Sequence, residues 1–156
     1  RFETLLWDAL RQLDPARPVF VESESRRIGT CHLPQALMTA IRSAPCRIIQ
    51  AEPAVRTRLL LDEYRHFTEQ PELLREQLSR LTELHGRQKV DDWHHTVDRG
   101  DYSGLVGALL AEHYDPAYDR SMTRNFTRLG DSPRLQLLSR DEGEFDRIAR
   151  QLLDLG

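Results

Sequence analysis

The fold is decided by residues 18–51, which read PVFVESESRRIGTCHLPQALMTAIRSAPCRIIQA. Two runs rich in β-branched and aromatic residues, at 18–22 and 46–51, are bounded by prolines and predict buried strands. Between them, residues 23–32 are predicted to form a loop, and the pattern over 33–43 predicts a helix. A strand, a helix and a second strand in this order are typical of a parallel sheet covered by helices.

The sequence on either side of this stretch is mostly helical. Apolar residues recur every three or four positions over residues 2–13, and Asp14-Pro15 ends that pattern. Helical periodicity also fills residues 53–113. The stripes of leucines in this segment are predicted to be core, as are both tryptophans, Trp7 in the first helix and Trp93 in this segment. The remaining predicted elements are a helix with Asp115 as N-cap and Pro116 at its first position, a loop over 124–132, a strand over 134–139, and a terminal helix begun by the capping pair Asp141 and Glu144.

These elements predict an α/β fold with a parallel sheet of about three strands and a large helical insertion. Residues 1–53 form the first α/β part, which ends its first strand in an acidic motif. Residues 54–113 form the helical insertion or lid. Residues 114–156 supply the final loop, strand and helix of the α/β domain.

The charges follow the same division. The whole chain of 156 residues carries a net charge of −3, which excludes a uniformly basic clamp for nucleic acid. Residues 1–58 hold nine arginines against six acidic residues, whereas residues 59–113 hold six basic and eleven acidic residues. Lys89 is the single lysine among 22 basic residues. Because arginine suits bidentate phosphate recognition, the excess of arginine outside the insertion leaves a local phosphate-binding surface open.

Two cysteines, Cys31 and Cys46, are too few for a disulfide framework, and no apolar run reaches the roughly 18 residues of a membrane helix. We therefore predict a cytoplasmic protein that does not associate with membranes. Because Arg1 begins directly in a helical pattern, without an initiator methionine or a capping residue, we expect the sequence to be an excerpt of a longer polypeptide.

A candidate site follows the first predicted strand. Glu22 and Glu24, two positions apart on an extended backbone, lie on one side, and carboxylates at the carboxyl end of a strand can hold Mg²⁺. We predict Glu22 as the ligand of such a magnesium ion. Four arginines complete the candidate phosphate site; they follow the acids or begin the helix after the second strand: Arg26, Arg27, Arg56 and Arg58.

The sequence excludes a phosphate-binding P-loop and gives no indication of a zinc site. No G-x-x-x-x-G-K-S/T loop occurs, so the chain cannot cradle a triphosphate in that way. The six histidines show no spacing to cysteine, aspartate or glutamate that would specify zinc.

Three segments carry a resemblance to a known family. They are Phe2-Glu3 with the helix that follows, the run from Phe20 to Gly29 together with His32-Leu33-Pro34, and the motif HYDPAY at 113–118. In this order they resemble the carboxyl-terminal part of the bacterial tRNA 2-selenouridine synthases. The likeness extends over most of the chain.

The resemblance implies a cytoplasmic transferase that acts on the wobble position of tRNA. Enzymes of this family replace the sulfur of 2-thiouridine with selenium from selenophosphate, through an S-geranyl intermediate made from geranyl diphosphate. The implied fold is a partial P-loop NTPase-like sheet. A rhodanese domain with an essential cysteine and the P-loop segment would lie upstream in the same protein, and a selenophosphate synthetase is an expected partner.

The resemblance also suggests roles for named residues. Glu22 and Glu24 would be the catalytic acids, and Tyr114 and Asp115 would join the four arginines in binding phosphate or substrate. The arginines that would contact the tRNA backbone follow the HYDPAY motif: Arg120, Arg124 and Arg128.

Without the upstream segment, the strands at 18–22 and 46–51 would lack a common neighbour and leave unpaired edges. We therefore expect the chain either to fold stably only together with that segment or to rearrange. Two alternatives remain open at this point: a P-loop-type small-molecule kinase with a helical lid, and a non-enzymatic helical interaction module.

Overall fold

The computed structural model describes residues 1–22 and 26–155. Most of this part of the chain is helical, and helices α1 to α10 lie in the segments that were predicted to be helical, although the structure divides these segments into more helices than the sequence indicated. Their bounds are Phe2–Arg11, Gln35–Ser43, Pro53–Glu63, Arg65–Glu69, Pro71–Ser79, Thr82–His85, Arg87–Asp98, Tyr102–Leu109, Asp115–Asn125 and Glu142–Asp154. A π-turn, Leu110–Tyr114, joins α8 to α9. None of the described helices is long and apolar enough to cross a membrane.

The central sheet is short and parallel. Strand β3 (Ile48–Ala51) pairs with strand β4 (Arg134–Leu137), with Ile48 opposite Arg134. The amide of Ile48 also donates to the carbonyl oxygen of Pro133 at 2.9 Å. Both strands were predicted from the sequence, so the α/β class with a parallel sheet is confirmed.

The prediction of a strand over residues 18–22 is wrong for this structure. These residues form no ladder, and Val19, Phe20 and Val21 are 53%, 46% and 56% exposed. A strand needs a neighbour for its amides and carbonyls, and no strand in the described ranges lies beside this run. The parallel sheet therefore has two strands in the described part of the chain, instead of about three.

A small hairpin replaces the loop that was predicted over residues 23–32. Strands β1 (Arg27–Ile28) and β2 (Cys31–His32) pair antiparallel, with Ile28 opposite Cys31. Gly29 has a φ of 59° at the first position of the two-residue turn, a conformation that glycine adopts without strain.

Two clusters account for much of the core in the described part of the chain. Five residues of α5, α7 and α8 form the first cluster: Leu78, Val90, Trp93, Val97 and Leu105. The second lies over the sheet, where Leu135 and Leu137 of β4 pack against Ile148 of α10. Trp93 is 3% exposed, as predicted, but the prediction that Trp7 is core is wrong. Trp7 is 64% exposed because the amphipathic helix α1 buries none of its residues.

The start of α10 differs from the predicted capping pair. Asp141 makes no cap bond, because its carboxylate accepts the hydroxyl of Ser139 at 2.7 Å. Glu144 instead reaches back to strand β4, where it accepts the amide of Leu138 at 2.7 Å and the Nε of Arg147 at 2.8 Å. The hydrogen bond from Arg147, followed by that from Leu138, lowers the pKa of Glu144 to about 2.

This contact predicts a loss of stability in acid. The pKa of Glu144 is lower in the folded state than its ordinary value of 4.5, so the ionised carboxylate stabilises the fold at pH values above 4.5. This stabilisation is lost as the pH falls toward 2. We expect Glu144→Gln to lower Tm at neutral pH and to make Tm fall less steeply with acid. Thermal melts across this pH range test the prediction. The exposed Glu142→Gln in the same helix turn is the control, and an equal effect of both changes would contradict it.

Candidate functional site around the π-turn

A bidentate ion pair joins two distant parts of the sequence. Arg56 lies in the first turn of α3, directly after the carboxyl end of β3, where α/β sheets bind ligands. Its Nη1 donates to Oδ2 of Asp115 at 2.8 Å, and its Nη2 donates to Oδ1 at 2.6 Å. The two side chains are 35% and 39% exposed, so solvent still reaches the pair. The hydrogen bond to Asp115 raises the pKa of Arg56, which stays charged.

Asp115 is available for this pair because of the π-turn. The sequence predicted that a new helix begins here with Asp115 as N-cap, but the helix instead continues through the turn. The amide of Asp115 donates to the carbonyl of Leu110, five positions back. Pro116 has no amide hydrogen, and its ring would clash with the carbonyl of Glu112 in a regular α-helix. The wider turn accommodates the proline, and the Asp115 carboxylate points to α3 instead of capping its own helix.

Two histidines meet on the same turn. The Nε2 of His85, at the end of α6, lies 2.9 Å from Nδ1 of His113 in the π-turn. His85 packs edge-on against Trp93, with ring centroids 5.1 Å apart, and Tyr114 packs against His113 at 4.7 Å. Burial, and then the nearby His85, lowers the pKa of His113. A single hydrogen can occupy the bond between the rings, so one nitrogen donates and the other accepts.

A third contact completes what we call the π-turn cluster. Lys89 of α7 pairs with Glu112 at 2.9 Å. Through these contacts, α3, α6 and α7 are each joined to the π-turn or to Asp115, the residue directly after it. The residues of the cluster are Arg56, His85, Lys89, Glu112, His113, Tyr114 and Asp115. Because π-turns occur frequently at functional sites, this cluster is the best candidate for one here.

The other predicted phosphate ligands lie apart from this cluster. The Nε of Arg26 donates to the carbonyl of Leu33 at 3.1 Å, and that of Arg27 donates to Gly29 at 2.8 Å, so both support the hairpin. Arg58 is exposed, and its Nε donates to the carbonyl of Ala54 at 3.2 Å. Glu22 is exposed, and Glu24 lies outside the described residues. Among the described residues, no hydrogen bond or ion pair joins Glu22, Arg26 or Arg58 to the cluster.

The magnesium prediction rests on the same acids. In the part of the chain that the structure describes, no three side chains of histidine, cysteine, aspartate or glutamate are grouped so that they could hold a metal ion. Glu22 alone does not provide a ligand set. Because Glu24 is not described, the role of Glu22 in magnesium binding stays a prediction, and no step below depends on it.

Helix α9 leads from the cluster to an exposed basic surface. Arg120 and Arg124 are four residues apart in α9 and therefore share one helix face, and Arg128 lies in the turn that follows the end of α9. All three are exposed. Within residues 1–22 and 26–155 none of them has an ion-pair partner. We call these three residues the arginine face.

Sequence reasoning found part of the cluster and missed the rest. Arg56, Tyr114 and Asp115 were predicted to bind phosphate or substrate, and the structure places Arg56 and Asp115 in direct contact. His85 and Lys89 were missed because they lie 28 and 23 positions from their partners in the sequence. The only local signal was Pro116, because a proline inside a helical pattern forces the backbone to change.

A comparison with family models gives one match. The model described as the AAA domain of tRNA 2-selenouridine synthase matches residues 1–84, more than half of the chain. The matched region includes the hairpin, β3 and α3 with Arg56.

Two curated relatives are similar over a longer range. A tRNA 2-selenouridine synthase from Alcanivorax borkumensis is 30% identical, over 79% of this chain and 42% of the relative. A protein of the same name from Shewanella loihica is 27% identical, over 82% of this chain and 42% of the relative. The chain thus spans about two fifths of the length of these relatives. No solved structure matches the chain.

Proposed function

Because this chain belongs to the tRNA 2-selenouridine synthase family, we propose that it is part of an enzyme that converts 2-thiouridine at the tRNA wobble position to 2-selenouridine. The reaction uses selenophosphate and passes through an S-geranyl intermediate made from geranyl diphosphate. The observation that carries the proposal is the family match over residues 1–84. A tRNA substrate agrees with the names of both relatives and with the exposed arginine face.

The chain contributes positive charge to this chemistry. Geranyl transfer releases diphosphate. Selenium transfer breaks the bond from the base to sulfur and releases the geranyl thiol, and water then cleaves the Se–P bond and releases phosphate, so both steps develop negative charge on leaving groups. Guanidinium groups stabilise such charge through bidentate hydrogen bonds. We assign this role to Arg56, whose side chain is partly exposed and lies directly after the carboxyl end of β3. Arg26, Arg27 and Arg58 are the further phosphate ligands. Tyr114 and Asp115 position Arg56 and the substrate beside it.

The rest of the enzyme is expected from upstream segments of the same polypeptide. We propose that a rhodanese domain supplies the reactive cysteine and that a P-loop segment completes the sheet next to β3. Glu22 and Glu24, near the carboxyl end of the unpaired run 18–22, act as the catalytic acids. A selenophosphate synthetase provides the selenium donor in the cytoplasm.

The proposal is tested with the complete natural polypeptide. It is incubated with tRNA that contains 2-thiouridine, with geranyl diphosphate and with selenophosphate, and the nucleosides are measured by mass spectrometry after digestion. We expect 2-selenouridine with all substrates and the S-geranyl nucleoside when selenophosphate is omitted. If neither product forms, the proposal is wrong. Phosphorylation of a small acceptor in place of tRNA modification would favour the kinase alternative.

A further inference from the structure

Three aromatic rings form a cluster on the surface at the junction of α3 and α4. The ring of Tyr64 lies 6.1 Å from that of Phe67, at an angle of only 15°, and His66 lies 4.3 Å from Phe67. Tyr64 is 45% exposed and His66 is exposed, whereas Phe67 is half-buried beneath them. We call these three residues the aromatic platform.

The backbone fixes this arrangement. Tyr64 ends α3 and precedes α4, with φ of −98° and ψ of 29°, so the chain bends between two aromatic positions. The amide of Tyr64 donates to Leu60 and the amide of Phe67 donates to Tyr64, both at 2.9 Å. The rings therefore remain grouped at the surface, although exposing aromatic area to water is unfavourable.

The rings of Tyr64 and His66 lie 6.0 Å apart and are inclined by 52°. We propose that the aromatic platform binds an unpaired nucleobase of RNA, which stacks on Tyr64 and meets His66 at its edge. This inference rests on the proposed function, because tRNA presents unpaired bases in its loops. Such bases are recognised by stacking on aromatic side chains, since every base has a π-face. The Tyr64 hydroxyl has no hydrogen-bond partner among the described residues, so it is available to a base edge or phosphate.

The charges around the platform define its contribution. Arg65 pairs with Glu69 at 3.1 Å, and Arg140 pairs with Asp62. Glu63, beside Tyr64, is exposed and has no ion-pair partner among the described residues, so the platform carries no net positive charge. The platform thus differs from the arginine face, which has no such partners. Stacking at the platform should add affinity without adding to the salt dependence of binding, whereas contacts of the arginine face with phosphate depend steeply on salt.

The test uses the complete natural polypeptide with two probes, a short single-stranded oligouridylate and an unmodified tRNA. We expect Tyr64→Ala to weaken binding of the oligouridylate at least about fivefold, the loss of one base stack, with the same slope of affinity against salt. Tyr64→Phe keeps the ring and should bind nearly as tightly as the wild type. His66→Ala, which leaves Tyr64 in place, is a second variant in case Tyr64→Ala fails to fold.

Phe145→Ala is the matched control, because Phe145 is 44% exposed on α10 and has no ring partner among the described residues. Equal affinities of Tyr64→Ala and the wild type, equal losses in Tyr64→Ala and Phe145→Ala, or no binding of the oligouridylate at all would overturn the inference. If the wild type binds tRNA but the platform variants change nothing, only this inference fails. If the wild type binds no RNA, the proposed function fails as well.

Discussion

Replacing all three residues of the arginine face by glutamate is expected to weaken tRNA binding on the order of 100-fold at about 0.1 M salt. Each arginine that neutralises a phosphate contributes about −0.9 to the slope of log affinity against log salt, and three lost contacts remove about 2.7 from that slope. Arg120, Arg124 and Arg128 are exposed and lack ion-pair partners in the described ranges, so no folded-state ion pair is broken by the change. Filter binding or fluorescence anisotropy over a salt series measures both quantities.

The control for this experiment is Arg150→Glu, a charge reversal at an exposed position of α10. It changes the net charge but lies outside the arginine face, so it should shift affinity only slightly. Unchanged affinity and an unchanged salt slope in the triple variant would show that these three residues do not contact tRNA. A uniform loss in the triple variant and in Arg150→Glu would point to net charge instead of a specific face.

The longer amphipathic helices were predictable because they carry an apolar periodicity of their own. The stripe through Val90, Trp93 and Val97 shows in the sequence at helical spacing and is buried in the structure. Between α7 and α8, Gly100 has a φ of 68° and Asp101 accepts the amide of Gly104 at 2.8 Å. Local chemistry decides such features, so a sequence is sufficient to find them.

The strands were less predictable because a strand depends on its neighbour. The runs 18–22 and 46–51 look alike in composition, yet within the described ranges the second pairs with β4 and the first pairs with no strand. Ile48 and its partner Arg134 are 86 positions apart. The hairpin at Arg27–His32 was missed although Gly29 at a two-residue turn is a recognisable signal. Which strands form the sheet depends on pairing between residues far apart in the sequence, and the local periodicity of each run does not indicate that pairing.

The candidate site was predictable in its residues but not in its contacts. Arg56 and Asp115 were each expected to bind phosphate, because one follows a strand and the other lies in the HYDPAY motif. Their pairing across 59 positions depends on the π-turn, which helical periodicity cannot indicate. The sequence also suggested an N-cap at Asp115, since a helix start and a proline-induced turn share the same Asp-Pro pattern.

Exchanging the charges of Arg56 and Asp115 is expected to separate the structural role of this ion pair from the catalytic role of Arg56. Arg56→Ala leaves Asp115 without its partner, and we expect a loss of about 1–2 kcal/mol in the free energy of unfolding, since the pair is partly exposed to solvent. If Arg56 also stabilises the leaving phosphate, formation of 2-selenouridine should fall on the order of 100-fold, as when one preorganised donor is removed from an active site.

The double exchange Arg56→Asp with Asp115→Arg rebuilds the bidentate pair in the opposite direction. It should recover most of the Tm lost in Arg56→Ala, but activity should remain low, because the guanidinium group now extends from α9 and no longer from the end of β3. Arg58→Ala, two residues away and exposed, serves as the stability control and should leave Tm unchanged. Recovery of activity in step with Tm would show instead that Arg56 acts only by holding α3 to the π-turn.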